Sequence, residues 1–449
     1  VGTGSSLEHH DLTHVGLRRA NNQDAKAVVE PWNREQYRRR GWLFVVADGM
    51  GAHAAGEMAS ALAVQEVTGA YEKLASRSPP LALRTSIEDA NAKIYARGET
   101  SPDLKGMGTT CTALALLPRG ALVGHVGDSR AYRVRGGVIE QLSRDHSLVW
   151  DLEAQAGGGD AVVPAVPKNI ITRSMGPHPD VRVDLEGPFP VEVGDAFVLC
   201  SDGLSGQVAD EEIGALAAAL PPKAAAEALV GLALVRGAPD NVTVIVARAG
   251  AQEQSRVAAD DAPWVLEQPD ANPGRPPAVP WRMLAVAAGS LLVGLIVNPF
   301  SPLVAAANPT ASPPVTEGVL HALLGADIAN AVGLVVGIAM ALTFVGSLLA
   351  AVLGFLVPKG GPPPALPPGR TIGNGPYRSY DCRPTPRLVE GIAASIDSAA
   401  DGLDAAPRRD CVAPLARARS AAAAGDFAAA FAAVGEALAA FTRAVAATR

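Results

Sequence analysis

Apolar and polar positions change their rhythm along this chain. Up to about residue 250, short apolar or alternating runs recur at 25–30, 42–47, 109–117, 121–126, 131–134, 196–200 and 242–247. Turn signals such as Arg135-Gly136-Gly137 and Val193-Gly194-Asp195 bound them, so they predict strands. Helical spacing predicts helices over 54–74, 81–97, 147–155, 210–219 and 223–236. The strands come in antiparallel-looking clusters with helices gathered between them. This predicts an α+β arrangement of packed sheets with helices outside, not a doubly wound parallel sheet.

Beyond this first domain, 1–250, the pattern fades. Residues 251–280 are polar and Pro-rich without periodicity, which reads as a linker. Region 281–357 is predominantly apolar, with no Lys or Arg between positions 283 and 358. Two apolar segments, about 282–304 and 329–357, predict a transmembrane hairpin, since a span needs roughly 20 residues. The first reaches that length only by running through Asn298-Pro299. The competing reading is two buried helices of a soluble domain. Arg275 and Arg282 precede the hairpin, and Lys359, Arg370 and Arg378 follow it, which places both flanks in the cytoplasm. A Pro/Gly-rich spacer, 358–386, leads to an Ala-rich helical tail, 387–449. Its end, 415–449, reads as two helices broken at Gly425-Asp426, with Phe427, Phe431, Leu438 and Phe441 as the apolar stripe: one helical-hairpin repeat, or a small helical cap.

The formal charge of -7 over 449 residues, without a basic block, offers nothing for nucleic acid. Of the four cysteines, Cys111 and Cys200 fall inside strands and read as buried thiols, while Cys382 and Cys411 could pair. The first residues, beginning with Val1, are polar and show no signal-peptide core.

Candidate chemistry lies at strand ends. The run 43–47 stops at Asp48, followed by Gly49 and Gly51. The same setting recurs: RANNQD ending at Asp24, GMGTT at 106–110, HVGDSRAY around Asp128, LCSDGL around Asp202, and PDNVT with Asp240. Each alone reads as a turn. Aspartates clustered in space repel one another, and cations or protons must compensate. Oxygen ligands without a Cys/His cluster favour Mg²⁺ or Mn²⁺ over zinc.

Taken in order, these six stretches resemble the metal-dependent Ser/Thr protein phosphatases of the 2C type in their bacterial form, over roughly residues 10–249. The resemblance implies a β-sandwich of two antiparallel sheets flanked by helices, with a centre of two Mn²⁺ or Mg²⁺ ions at one end. It implies that Asp48 bridges the two metals, with the Gly49 carbonyl on one of them. Asp202 and Asp240 would bind the first metal, and Asp24 the second, mostly through water. Asp128 would match the carboxylate that holds a third, weaker metal in bacterial members. Arg19 would pair with the substrate phosphate, for which a guanidinium fork is suited, with Arg18 as a competitor. The implied reaction is hydrolysis of phosphoserine and phosphothreonine in proteins by a bridging water, without a cysteine nucleophile.

Ala52 departs from the family's usual glycine and is followed by His53. Met50 leaves the position of a eukaryotic general-acid histidine without one, so the proton donor is unassigned, with a metal-held water as the expectation. Residues 144–173 correspond to the family's variable flap. His125 reads as a packing residue and Glu57 as a helix-dipole partner; His146 and Arg130 lie near the site by motif alone. The combined expectation is a multi-pass protein of the cell (inner) membrane, with catalytic domain and tail cytoplasmic. It would act on phosphorylated proteins and oppose a Ser/Thr kinase. The rival is an inactive phosphatase-like scaffold that binds phosphoproteins.

Overall fold

The computed structural model describes residues 7–51, 55–155, 167, 170–258, 261–267 and 364–447, and scattered positions between 268 and 363. One compact unit spans Val1–Glu267 together with Pro364–Arg449; a second spans Gln268–Pro363.

The strands of the first unit are β1 (Glu8–His14), β2 (Asp24–Val29), β3 (Trp42–Met50), β4 (Gly108–Thr109), β5 (Cys111–Leu117), β6 (Gly120–Val126), β7 (Arg130–Arg135), β8 (Val138–Gln141), β9 (Asp184–Phe189), β10 (Ala196–Cys200), β11 (Val242–Arg248), β12 (Trp264–Val265), β13 (Ala365–Leu366) and β14 (Arg378–Asp381). The helices are α1 (Arg34–Arg40), α2 (Ala55–Lys73), α3 (Pro79–Gly98), α4 (Leu148–Gln155), α5 (Asp202–Ser205), α6 (Asp210–Ala219), α7 (Pro222–Val235), and three near the C-terminal end: α8 (Pro386–Ala400), α9 (Ala405–Ala423) and α10 (Phe427–Ala447).

Two antiparallel sheets form, one in the order β1-β11-β10-β7-β8-β14 and one in the order β2-β3-β5-β6-β9, with β4 on β3. Period-two side-chain placement explains why they stack. In β3, Phe44 and Val46 enter the core between the sheets, while Leu43, Val45 and Ala47 face α2 and α3. In β10, Phe197 and Leu199 enter the same inter-sheet core, while Val198 and Cys200 face α6 and α7. The expected sandwich with helices outside is what forms.

Several elements differ from the sequence expectation. β1, α1, β8 and β9 fall where no strand or helix was expected. The linker expected from 251 begins later: β12 pairs with β13, and Arg119 lies 4.0 Å over the Trp264 ring. Part of the expected spacer also joins the fold, because β14 pairs with β8 from Arg378↔Gln141 to Asp381↔Val138. The helical tail is not separate from the first domain. Ile392, Ile396, Phe431, Val434 and Leu438 are buried in one core with α6 and α7. Gly231 of α7 admits α10 closely; a Cβ there would lie 3.0 Å from the Leu438 Cβ. Apolar stripes on short helices need a partner surface, and α7 supplies it.

Cys382 and Cys411 are buried free thiols, as are Cys111 and Cys200. The segments 282–304 and 329–357 lie largely outside the described residues; within them 285–286, 288–289, 335, 339 and 341–348 are described, and these are helical. Among the described residues, one helix is long and apolar enough to cross a bilayer, the 21-residue α10, and half of it is buried in the fold.

Candidate metal centre

The pairing of β2 with β3 sets Asp24 directly opposite Asp48. Like charges so placed destabilise a sheet unless something compensates. Asp202 opens α5 immediately after β10, Asp240 precedes β11, and Asp128 lies in the turn from β6 to β7. Adjacent strands of both sheets therefore deliver aspartates to one end of the sandwich.

Close backbone approaches set the spacing. A Cβ on Gly49 would fall 2.1 Å from the Gly56 carbonyl oxygen, and one on Gly203 would fall 1.8 Å from that of Asn241. Only glycine lets the Asp48 turn meet α2 and the Asp202 turn meet the Asp240 loop.

Hydrogen bonds hold the carriers. The Asp48 N–H donates to Thr110 Oγ1 (2.8 Å), and Thr109 Oγ1 donates to the Asp48 carbonyl (2.9 Å). Ser201 Oγ donates to Asp24 Oδ2 (2.8 Å) and accepts from the Thr243 N–H (3.0 Å). Asn241 clamps the loop that carries Arg19 and Asp24. Its Nδ2 donates to the carbonyls of Val15 (2.9 Å) and Asn21 (3.0 Å), and its Oδ1 accepts from the Gln23 N–H (2.8 Å). None of Thr109, Thr110, Ser201 or Asn241 was singled out as functional by sequence reasoning. Their signal was their place inside or beside the motifs, but a supporting hydroxyl or amide looks like any turn residue until its partners are known.

The electrostatics follow from proximity. Burial raises the Asp48 carboxyl well above its ordinary value, and Asp24, Asp202 and Asp128 raise it further. Burial, then Asp202 and Asp145, push Asp128 up to about 8. Burial raises Asp24 to about 6 despite hydrogen bonds from Thr243 and Ser201. Asp202 is raised by burial and by Asp240, while Arg19 and Arg130 oppose the rise. A proton held between two carboxylates is the metal-free answer to their repulsion.

The donor set fits hard divalent cations. Asp24 Oδ1, Asp128 Oδ1 and Asp202 Oδ1 are buried oxygens without a hydrogen-bond partner, and buried acceptors left unmatched are costly. Among the described residues no three acidic, histidine or cysteine side chains converge closely enough to hold one ion unaided. Water and backbone carbonyls would complete the shells, as Mg²⁺ in particular favours.

Asp24, Asp48, Gly49, Asp128, Asp202 and Asp240 thus share one end of the sandwich. Arg19 lies at the rim with its side chain half exposed, paired to Asp240 Oδ2 at 2.7 Å. His125 is fully buried, with Nε2 2.9 Å from the Gly127 carbonyl; burial, then His146, lower it to about 3, so it is a neutral packing residue. Arg130 grips Asp145 (2.7 Å) and the Tyr132 hydroxyl (3.0 Å), and its charge still favours the ionised forms of Asp128 and Asp202. His146 accepts from the Gly127 N–H through Nδ1 (2.9 Å), so Nε2 carries the proton and donates to Asp184 (2.9 Å). The Arg173 guanidinium 2.9 Å from the same nitrogen is then a contact between two donors, and its true acceptor is Asp184 Oδ1 (2.7 Å). Glu57 is exposed in the first turn of α2, as a dipole partner would be. Ala52, His53 and most of the flap beyond α4 lie outside the described residues.

Comparison with known proteins agrees. Residues 17–229 match the family model described as protein phosphatase 2C. The Ser/Thr phosphatase stp of Listeria monocytogenes is 33% identical over 256 residues, covering 55% of this chain and 98% of that protein. The chain belongs to the protein phosphatase 2C family. Another relative in this phosphatase family, the Ser/Thr protein phosphatase PstP of Mycobacterium tuberculosis, is 36% identical over 235 residues. That match takes in 52% of this chain and 43% of PstP, less than half of the relative's length. The crystal structure of Mycobacterium tuberculosis PstP/Ppp superposes with a TM-score of 0.47 at 34% identity, covering 54% of this chain and 99% of that one. A structure of the PstP catalytic domain with two manganese ions gives 0.45 at 35% identity, covering 54% and 97%.

Proposed function

We propose that this chain hydrolyses phosphoserine and phosphothreonine in proteins at the Asp24–Asp48–Asp128–Asp202–Asp240 cluster, using two Mn²⁺ or Mg²⁺ ions and accommodating a third, weaker one. The observation that carries this reading is the set of buried carboxylates that repel one another and leave three oxygens unmatched. A domain that only bound phosphoproteins would gain nothing from keeping that cost.

When bound, the two cations supply a water ionised near neutral pH and charge compensation for the phosphoryl oxygens. The chain's own residues do the rest. Asp48, on which Asp24, Asp202 and Asp128 all act, would hold both cations, with the Gly49 carbonyl on one of them. Asp202 and Asp240 would hold the first cation. Asp24, steadied by Ser201, would hold the second. Asp128 would hold the third, weaker one. Arg19 shares Asp240 with the centre and stands exposed at the rim, where its fork can orient the substrate phosphate. Buried, high-pKa Cys111 and Cys200, pushed up to about 12 by desolvation, offer no thiolate route.

The apolar stretch between the two halves of the catalytic unit would carry the chain into the cell membrane as a multi-pass protein, with the Arg/Lys-flanked halves cytoplasmic. There it would act on phosphorylated proteins and oppose a Ser/Thr kinase.

The test is phosphate release from a phosphothreonine peptide by the full chain in detergent, with Mn²⁺, Mg²⁺ or EDTA and with Asp48→Asn alongside. Turnover that needs metal and is lost in the variant supports the enzyme. A folded chain that binds the phosphopeptide but never turns it over supports the scaffold.

A further inference from the structure

The opposite end of the sandwich holds a second concentration of charge. β5 and β6 run from the aspartate end to the turn at Pro118-Arg119; seven residues of strand put that turn about 20 Å away. Beside it lies a cavity of about 640 Å³ lined by Arg38, Arg77, Arg119, Arg256, Asp261 and Trp264. Four guanidinium groups thus surround one carboxylate. A neighbouring groove of about 720 Å³ shares Arg38 and Arg256 and adds Arg34, with buried Glu253 as its acid.

The cations there are poorly matched. Arg119 is only 9% exposed, yet its Nε and Nη2 are buried without a partner. Its Nη1 donates to the Ala262 carbonyl (3.0 Å), and its plane lies 4.0 Å over the Trp264 ring. Arg77 Nη1 donates to Thr85 Oγ1 (2.9 Å). Among the described residues none of the four arginines forms an ion pair. A guanidinium does not lose its charge on burial, so unmatched N–H groups remain a cost that an oxyanion would offset. Several forks around one cavity suit an anion with several equivalent oxygens and more than one charge.

We propose that Arg38, Arg77, Arg119 and Arg256, with Trp264 as their floor, form a phosphate-group site remote from the metal centre. The group could be free phosphate or the headgroup of an anionic lipid. The lipid source has a structural argument: the cavity is walled by β12, whose partner β13 is where the chain returns from residues 268–363. The chain therefore leaves this unit after Glu267 and re-enters it at Pro364 beside these arginines, with the apolar region lying between those two points in sequence.

The test uses the full chain in detergent with EDTA, titrated calorimetrically with sodium phosphate, with dioctanoyl phosphatidylglycerol, and with dioctanoylglycerol as the phosphate-free control. Arg38→Ala/Arg256→Ala changes two exposed side chains and is compared after its melting curve shows an intact fold. Arg19→Ala removes the rim arginine of the metal centre. Binding that weakens about 10-fold or more in the double variant, persists in Arg19→Ala and falls with salt is the expected result. Binding of phosphatidylglycerol alone assigns the lipid source; binding of phosphate alone assigns the free anion. Three results overturn the site: no binding at millimolar ligand, equal binding to dioctanoylglycerol, or equal affinity in the double variant.

Discussion

The guanidinium of Arg378 lies 3.9 Å over the indole ring of Trp150. These residues come from opposite sides of the apolar region: Trp150 from the flap helix α4, Arg378 from the edge strand β14. Arg378 also pairs with Glu153 of α4, and the Tyr377 ring meets Trp150 edge-on at 6.1 Å. The base of α4 is tied to the Asp128 turn, because the His146 N–H donates to the Gly127 carbonyl (2.7 Å). The chain that returns after residue 363 thus steadies the flap from one side while the metal-centre turn holds it from the other. Arg378→Ala should speed hydrogen exchange of the α4 amides about 5- to 10-fold, corresponding to about 1 kcal/mol for a partly exposed cation–π and ion pair. Unchanged exchange would mean that the contact does not restrain the flap.

Asp48→Asn should cut phosphate release at least about 100-fold, since it removes the carboxylate proposed to hold both cations. In EDTA the same variant should melt no lower than the parent, because it removes a carboxyl whose ionised form is opposed by burial and by Asp24, Asp202 and Asp128. A lower melting temperature in EDTA would show that Asp48 stabilises the fold directly.

The raised carboxyls predict how stability depends on pH without metal. Asp24 near 6 and Asp128 near 8 hold protons in the folded state that the unfolded chain has already released above about 4. The folded state therefore binds more protons across this window, and stability must fall as pH rises from about 4 to 8. The melting temperature in EDTA should drop across that range, and Mn²⁺ should restore more of it at pH 8 than at pH 5. A flat profile in EDTA would rule out the crowding of carboxylates inferred here.

Asn241→Ala removes three hydrogen bonds, to Val15, Asn21 and Gln23, that hold the loop carrying Arg19 and leading to Asp24, and should cost about 2–4 kcal/mol of stability. Its kinetic signature should be weaker metal activation, read as a higher Mn²⁺ concentration for half-maximal turnover. Full stability together with parental metal dependence would count against the clamp.

Phe431→Ala tests whether the C-terminal helices belong to the catalytic unit. Phe431 is fully buried between α10 and its neighbours, and truncating it should cost about 3–5 kcal/mol. The loss should appear in the melting of the phosphatase fold itself, followed through metal-dependent activity. Loss of helix signal with an unmoved activity melt would make the helices independent.

The sequence by itself determined the alternating strands, the helices between them and the order of the aspartate motifs. These are written in short-range periodicity and turn chemistry, and the sandwich and family membership followed from them. It also made Asp24, Asp48, Asp128, Asp202 and Asp240 legible as a set, because a carboxylate beside glycine at a strand end leaves a local mark. Tertiary structure alone decided what depends on distant partners. β14 is four residues with no pattern of its own and becomes a strand only because β8 offers an open edge. The Ala-rich helices carry ordinary apolar stripes, and nothing local says that α7 is the surface they cover. Asn241 and Ser201 became positioning residues only when the loops they bind, more than 170 positions away in sequence, came within 3 Å. The arginines at the far pole, scattered from 38 to 256, carry no mark of a site until the fold closes them around one cavity.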